Sequence, residues 1–119
     1  MREQLEKMTV RTSAATADAP LKMWSESGPE WGGKICAAYR FGPGFDARSA
    51  LEGLPDAMCP APHWGYCFKG SLRVRYKDGT EEVIKAGDLF YMPPGHTFFT
   101  DQDAEEDCEL IEFSEAPDA

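Results

Sequence analysis

The sequence is poor in basic residues and has only two histidines, and these scarcities narrow the classes of protein it can be. Its 119 residues carry 12 Lys and Arg against 21 Asp and Glu, which gives a formal net charge of −9. A nucleic acid or an anionic membrane requires a basic surface, so neither is an expected partner. No apolar run approaches the ~20 residues that span a bilayer, and residues 1–7 lack the apolar core of a signal peptide. We therefore expect a single cytoplasmic domain.

The four cysteines contain no CxxC pair, so the pattern does not indicate a disulfide framework, and reduced thiols are expected. Cys36, Cys67 and Cys108 each lie within an apolar run typical of a strand, which favours small buried side chains. Cys59 differs because it lies in a proline-rich loop, four residues before His63. It is the cysteine with a candidate function.

Turn residues divide the chain into short strand-like runs without long intervening helices. Strands are predicted over residues 21–24, 34–41, 63–68, 72–76, 81–84, 89–92, 97–100 and 108–113. Asp78-Gly79 predicts a hairpin, and the span from Asp46 to Gly53 has the cap residues of a short helix. This pattern indicates an all-β sandwich or barrel.

The turn residues of the second half resemble those of the cupin superfamily. Gly70 matches the glycine that closes the first cupin motif, and Gly87, Pro93 and Gly95 match the scaffold of the second. The similarity covers roughly residues 34–114. It implies a double-stranded β-helix, or jelly-roll barrel, and a homodimer of the kind common in that superfamily. We interpret residues 1–18 as a flexible N-terminal arm and residues 19–119 as a single cupin barrel domain.

The chain departs from the family at the metal ligands. In the first motif His63 occupies the position of the family's glutamate, while Cys59 and Ala57 occupy the positions of its two histidines. In the second motif Phe98 occupies the histidine position, and His96 lies two residues earlier. The family's set of three histidines and one glutamate is therefore absent.

A substitute set of ligands is possible in Cys59, His63 and His96. In extended chain Cys59 and His63 share one face, and His96 shares the face of Phe98, so all three can point into the barrel. One thiolate and two imidazoles suit zinc better than iron, manganese or nickel, with water or a carboxylate as the fourth ligand. The alternative is structural: His96 bonds to the backbone of its turn, and His63 stacks on an aromatic ring.

Aromatic residues cluster around the expected pocket, and strand alternation predicts that about half of them line it. They are Trp64, Tyr66, Phe68, Phe90, Tyr91, Phe98 and Phe99. An aromatic cavity with a few polar groups is typical of a small-molecule site, and also of a packed β core. Trp24 and Trp31 fit the expected dimer interface.

Two functions are compatible with these features. A metal-dependent enzyme (an isomerase, a lyase or an oxygenase) would act on a small polar organic molecule, with Tyr66 or Tyr91 assisting proton transfer. A non-catalytic cupin would instead bind a small ligand or serve as a structural dimer.

Overall fold

A computed structural model describes residues 9–12, 23–49, 51 and 53–115, and nine strands lie among them. The strands are β1 (Thr9–Thr12), β2 (Met23–Trp31), β3 (Lys34–Phe41), β4 (His63–Lys69), β5 (Ser71–Tyr76), β6 (Glu81–Lys85), β7 (Leu89–Met92), β8 (His96–Phe99) and β9 (Cys108–Glu115). One antiparallel sheet has the order β1-β2-β3-β9-β4-β7, and a second has the order β6-β5-β8. This arrangement confirms the predicted all-β class.

The hydrophobic core lies between the two sheets. Phe41, Met92 and Leu110 of the larger sheet pack with Leu72 and Val74 of the smaller one, and each is at most 2% exposed. Burying a side chain of this size stabilises the fold by about 1.5–3 kcal/mol. The core therefore fixes which face of each strand points inward, and with it the direction of every side chain in the pocket.

The predicted buried cysteines are confirmed. Cys67 and Cys108 lie in the core between the sheets, and Cys36 packs in a small cluster with Ala38 on the opposite face of β3. All three are less than 10% exposed, whereas Cys59 is half-buried. Cys59 is thus the cysteine most open to a ligand.

The glycines that carry the cupin resemblance occupy left-handed backbone positions. Gly70, Gly87 and Gly95 have φ values of 73°, 95° and 86°. A Cβ at Gly70 would also lie 2.5 Å from the carbonyl oxygen of Asp107, so glycine is required there for two reasons.

The short helix predicted around 46–53 is replaced by the 3-10 turn Ala47–Ser49, and a second 3-10 turn, Pro55–Ala57, follows that span. The Oδ1 atom of Asp46 does cap the first turn, accepting a hydrogen bond from the Arg48 amide at 3.0 Å. Gly53, with a φ of 90°, follows seven residues after that cap. So short a span forms too few hydrogen bonds to offset the cost of starting an α-helix.

The N-terminal region is described only in part. β1 belongs to the predicted arm and pairs with β2, while the rest of residues 1–18 lies outside the described residues, so a flexible arm stays a prediction. β2 extends beyond the predicted strand 21–24, as far as Trp31, and passes through a bulge between Ser27 and Glu30. Among the described residues, no helix is long and apolar enough to cross a membrane.

Candidate metal centre

The fold brings Cys59, His63 and His96 together. Cys59 lies in the loop before β4, His63 is the first residue of β4, and His96 is the first residue of β8. Cys59 forms an isolated backbone bridge with the start of β8, in which its amide donates to the carbonyl of His96 at 2.7 Å. One potential ligand atom from each residue lies within 4.8 Å of the other two. The cluster therefore joins the two sheets of the barrel.

His96 presents a buried nitrogen that has no partner. Its Nδ1 lies 2.8 Å from the carbonyl oxygen of Pro93, which only accepts, so Nδ1 carries the proton. In the neutral ring Nε2 then has a lone pair, and it is fully buried with no hydrogen-bond partner among the described residues. Such an unsatisfied atom costs about 1–3 kcal/mol. Burial also lowers the pKa of His96, which keeps the ring neutral.

His63 contacts both the cysteine and β9. Its Nε2 lies 3.4 Å from the Sγ atom of Cys59, and its Nδ1 lies 2.6 Å from the hydroxyl of Ser114. The ring meets that of His96 edge-on, at a centroid distance of 5.0 Å and an interplanar angle of 76°. Burial, and secondarily the nearby His96, lowers the pKa of His63 to about 4. The ring is therefore neutral at pH 7, the form in which histidine binds metals.

The Cys59 thiol keeps its proton in the absence of a metal. Burial raises its pKa above the usual value, and this outweighs the opposite effect of its hydrogen bond to the backbone of Ala61. A bound metal would have to displace that proton, because only the thiolate is a good ligand.

Glu112 is a buried acid beside the cluster that sequence reasoning missed. It lies on β9, is 7% exposed, and its Oε1 is 4.0 Å from Nδ1 of His63. Burial raises its pKa to about 8. The signal in the sequence is its position, because Cys108, Leu110 and Glu112 share the inward face of one strand. A charged residue at a strand position where alternation predicts a buried apolar side chain is a candidate functional group.

Glu112 alone is expected to lower the stability of the metal-free chain by about 2 kcal/mol between pH 6.5 and 8, seen as the difference between the wild type and Glu112→Gln. The pKa of Glu112 rises from 4.5 when unfolded to about 8, so its stabilising contribution is lost as pH rises through that interval. The pKa of His63 falls from 6.5 to about 4, so its contribution to stability is complete above pH 6.5 and is lost only as pH falls below that value, outside this interval. Urea unfolding at the two pH values, with chelator present, measures the difference. Glu112→Gln should abolish this pH-dependent loss of stability. An equal loss in that variant would contradict the pKa assigned to Glu112.

Tyr66 and Tyr91 lie on the outer face of the larger sheet and not beside the cluster. Side chains alternate along a strand, so Tyr66 points away from the face of His63, and the two tyrosines are 38% and 48% exposed. The structure therefore does not support the proton-transfer role suggested for Tyr66 and Tyr91. Of the seven aromatic residues, Phe90 and Phe98 pack in or against the core, fewer than the half that strand alternation predicted.

Solved structures of cupins share this fold. An RmlC-like cupin from Shewanella frigidimarina is 15% identical with a TM-score of 0.64, covering 97% of this chain and 89% of its own. KdgF from a Halomonas species is 20% identical with a TM-score of 0.60, covering 82% of each chain. The polyketide cyclase RemF from Streptomyces resistomycificus is 14% identical with a TM-score of 0.66, covering 98% of this chain and 80% of its own. No curated protein matches the sequence. At these identities the likeness confirms the cupin jelly-roll fold alone.

A family model gives the more specific relationship. The model of the AraC-like ligand binding domain matches residues 44–113, which is more than half of the chain. The match contains Cys59, His63 and His96, together with Glu112. The chain is therefore a small cupin-superfamily protein and belongs to the family of AraC-like ligand binding domains.

Proposed function

We propose that the chain is a cytoplasmic small-molecule-binding cupin whose barrel pocket holds a divalent metal on Cys59, His63 and His96. The observation that supports this most is the buried Nε2 lone pair of His96, which a metal would satisfy. The family's description as a ligand-binding domain supports a small molecule as the partner. A reducing cytoplasm would keep Cys59 available as a thiolate ligand.

Zinc is the favoured metal because of the donor set and its spacing. Zinc accepts sulfur and nitrogen ligands tetrahedrally, with Zn–S near 2.3 Å and Zn–N near 2.0–2.1 Å, which separates the two ligand atoms by about 3.5 Å. The Sγ atom of Cys59 lies 3.4 Å from Nε2 of His63. The other distances between candidate ligand atoms are all within 4.8 Å. Side-chain rotations that move these atoms by about 1 Å would bring them to the spacing of a zinc site.

Three protein ligands would leave a fourth position for an oxygen of the bound molecule. A dication beside one thiolate keeps a net positive charge, which favours a carboxylate, a hydroxyl or an enolate oxygen. Glu112 lies near His63, with its Oε1 4.0 Å from Nδ1, and when protonated it can donate a hydrogen bond. These features support a small, oxygen-bearing organic molecule as the proposed ligand.

An isomerase or lyase is the second candidate, and Glu112 is the observation that favours it. A buried acid with a pKa of about 8 exchanges its proton near neutral pH, as a general acid or base must. Zinc has no redox chemistry, so an oxygenase is not proposed. If the chain is an enzyme, Glu112→Gln should abolish turnover of a bound compound while changing its affinity by less than about tenfold.

Zinc titration of the metal-free, untagged chain tests the proposal. We expect one zinc per chain with a dissociation constant between about 1 nM and 1 µM, since four-ligand zinc sites reach 10–16 kcal/mol and this site has three protein ligands. A panel of small hydroxy acids and dicarboxylates should then stabilise the zinc-loaded chain more than the metal-free chain. Absence of zinc binding by the folded wild type would overturn the proposed metal.

A further inference from the structure

Cys67 and Cys108 are a pair of buried thiols that contact each other inside the core. Each is at most 1% exposed, and both belong to the cluster of core residues between the two sheets. Their thiols are hydrogen-bonded to each other. Neither cysteine belongs to the proposed metal centre, so this pair is a second sulfur site in the barrel.

The backbone holds the pair in place through a bulge in the β4–β9 ladder. Cys67 lies opposite Leu110, whereas Lys69 lies opposite Glu109, so the register shifts between Cys67 and Lys69. Cys108 and Leu110 share the inward face of β9, which makes Cys108 the next inward side chain beside Cys67. The Sγ atom of Cys67 is also held 3.4 Å from the carbonyl oxygen of Lys69, at the bulge. Strand pairing therefore fixes the contact between the thiols.

The two thiols are chemically unequal. The hydrogen bond from Cys108 stabilises the thiolate of Cys67, and it outweighs the opposite effect of burial, so the pKa of Cys67 falls to about 7. The same hydrogen bond, together with burial, raises the pKa of Cys108. Since the thiolate is the reactive form of cysteine, Cys67 is the nucleophile of the pair near neutral pH, and Cys108 keeps its proton.

We propose that Cys67 and Cys108 are a peroxide-reactive dithiol that closes to an intramolecular disulfide. The thiolate of Cys67 attacks one oxygen of hydrogen peroxide and breaks the O–O bond, which leaves a sulfenic acid on Cys67 and releases hydroxide. The hydroxide takes up the proton that the Cys67 thiol lost and leaves as water. The sulfur of Cys108 then attacks the sulfenic sulfur, and the S–OH bond breaks as the proton of Cys108 passes to the hydroxyl. The two thiols lose two electrons, and the peroxide becomes two waters.

Burial determines which oxidant can react and how the reaction ends. A peroxide is little larger than water, whereas a bulky disulfide such as oxidised glutathione cannot reach sulfurs that are covered to this extent in the folded chain. Cys108 contacts the sulfenic acid as soon as it forms, so closure of the disulfide is faster than a second oxidation to sulfinic acid. The S–S bond, ~2.05 Å long, forms once side-chain rotations bring the two sulfurs to bonding distance. The product links β4, which begins with His63, to β9, which carries Glu112.

Hydrogen peroxide treatment of the full, untagged chain, folded and free of metal, tests the proposal. We expect peptide mapping without reductant to find one internal disulfide, between Cys67 and Cys108, and dithiothreitol to restore both thiols. Mapping the wild type requires no substitution, so this result does not depend on whether a variant of the core folds.

Serine variants separate this pair from the other cysteines. Cys36→Ser is the matched control, because it removes a buried thiol on the opposite face of β3 and should keep the Cys67–Cys108 link. Cys59→Ser should keep the link too, because the pair reacts without the metal centre. A folded wild type whose four thiols all stay reduced in excess peroxide would overturn the proposal. So would a disulfide that includes Cys36 or Cys59 in place of this pair, or sulfinic acid on Cys67 without a link.

Discussion

Replacing His96 with alanine is expected to remove the zinc-dependent stabilisation of the chain. Each ligand of a zinc site contributes on the order of 3 kcal/mol, so the loss of one should weaken zinc binding about 100-fold or more. Zinc at 100 times its dissociation constant stabilises a folded protein by about 2.7 kcal/mol, which raises Tm by on the order of 10 °C for a domain of this size. His63→Ala and Cys59→Ser should lose the same shift. Thermal unfolding with zinc and with chelator measures it.

Two buried residues outside the proposed ligand set serve as controls for this result. Thr97 is 2% exposed and follows His96, but its hydroxyl has no hydrogen-bond partner among the described residues, so Thr97→Val should leave the zinc shift unchanged. Cys36→Ser removes a buried thiol on the far face of β3 and should also keep it. If His96→Ala folds and still binds zinc as tightly as the wild type, His96 is not a ligand and the lone pair of its Nε2 has another role.

Replacing Gly65 with alanine is expected to destabilise the chain by about 3 kcal/mol or more. Gly65 lies on β4, two residues after His63, and a Cβ there would overlap the carbonyl oxygen of Ile111 and the ring of Phe90. The Phe90 ring could rotate, but the Ile111 oxygen belongs to the β4–β9 ladder and cannot move without breaking it. Urea unfolding of the two proteins measures the difference.

Gly79 provides the comparison for that variant. It has a φ of 89° in the β5–β6 hairpin, and a Cβ there would meet nothing within 4 Å. Gly79→Ala should therefore cost only the backbone strain of a positive φ, about 1 kcal/mol. Adding Phe90→Leu to Gly65→Ala should not restore the lost stability, because the overlap with the backbone oxygen of Ile111 remains. An equal loss of unfolding free energy in Gly65→Ala and Gly79→Ala would contradict the packing described for β4.

The strands and their turns were largely predictable from the sequence because glycine at positive φ leaves a local signature. Gly70, Gly87 and Gly95 lie where the cupin resemblance required them, and the strands between them follow from alternation of apolar residues. β2 was predicted too short because its bulge at Ser27 and Glu30 has the composition of a turn. The pairing of β3 with β9 depends on contacts across some seventy residues, which local patterns do not report.

The candidate site could be predicted only in part. The alternation of side chains along extended segments predicted that Cys59, His63 and His96 point inward, and their side chains do meet. Glu112 was missed because it reaches His63 only through the β4–β9 register, in which Gly65 lies opposite it. The departure from the family also has a local cause. Ala57, which stands in place of a family histidine, has a φ of 53°, so the chain there is turned and not extended.

The absorption spectrum of the cobalt-loaded chain tests the central claim most directly. Cobalt takes the place of zinc in such sites, and its spectrum reports both geometry and sulfur ligation. The account predicts one cobalt per chain, intense visible bands of a tetrahedral ion, and a near-ultraviolet sulfur-to-cobalt band that Cys59→Ser abolishes and Cys36→Ser retains. A weak octahedral spectrum, or a sulfur band unchanged in Cys59→Ser, would show that Cys59, His63 and His96 do not form the proposed metal centre.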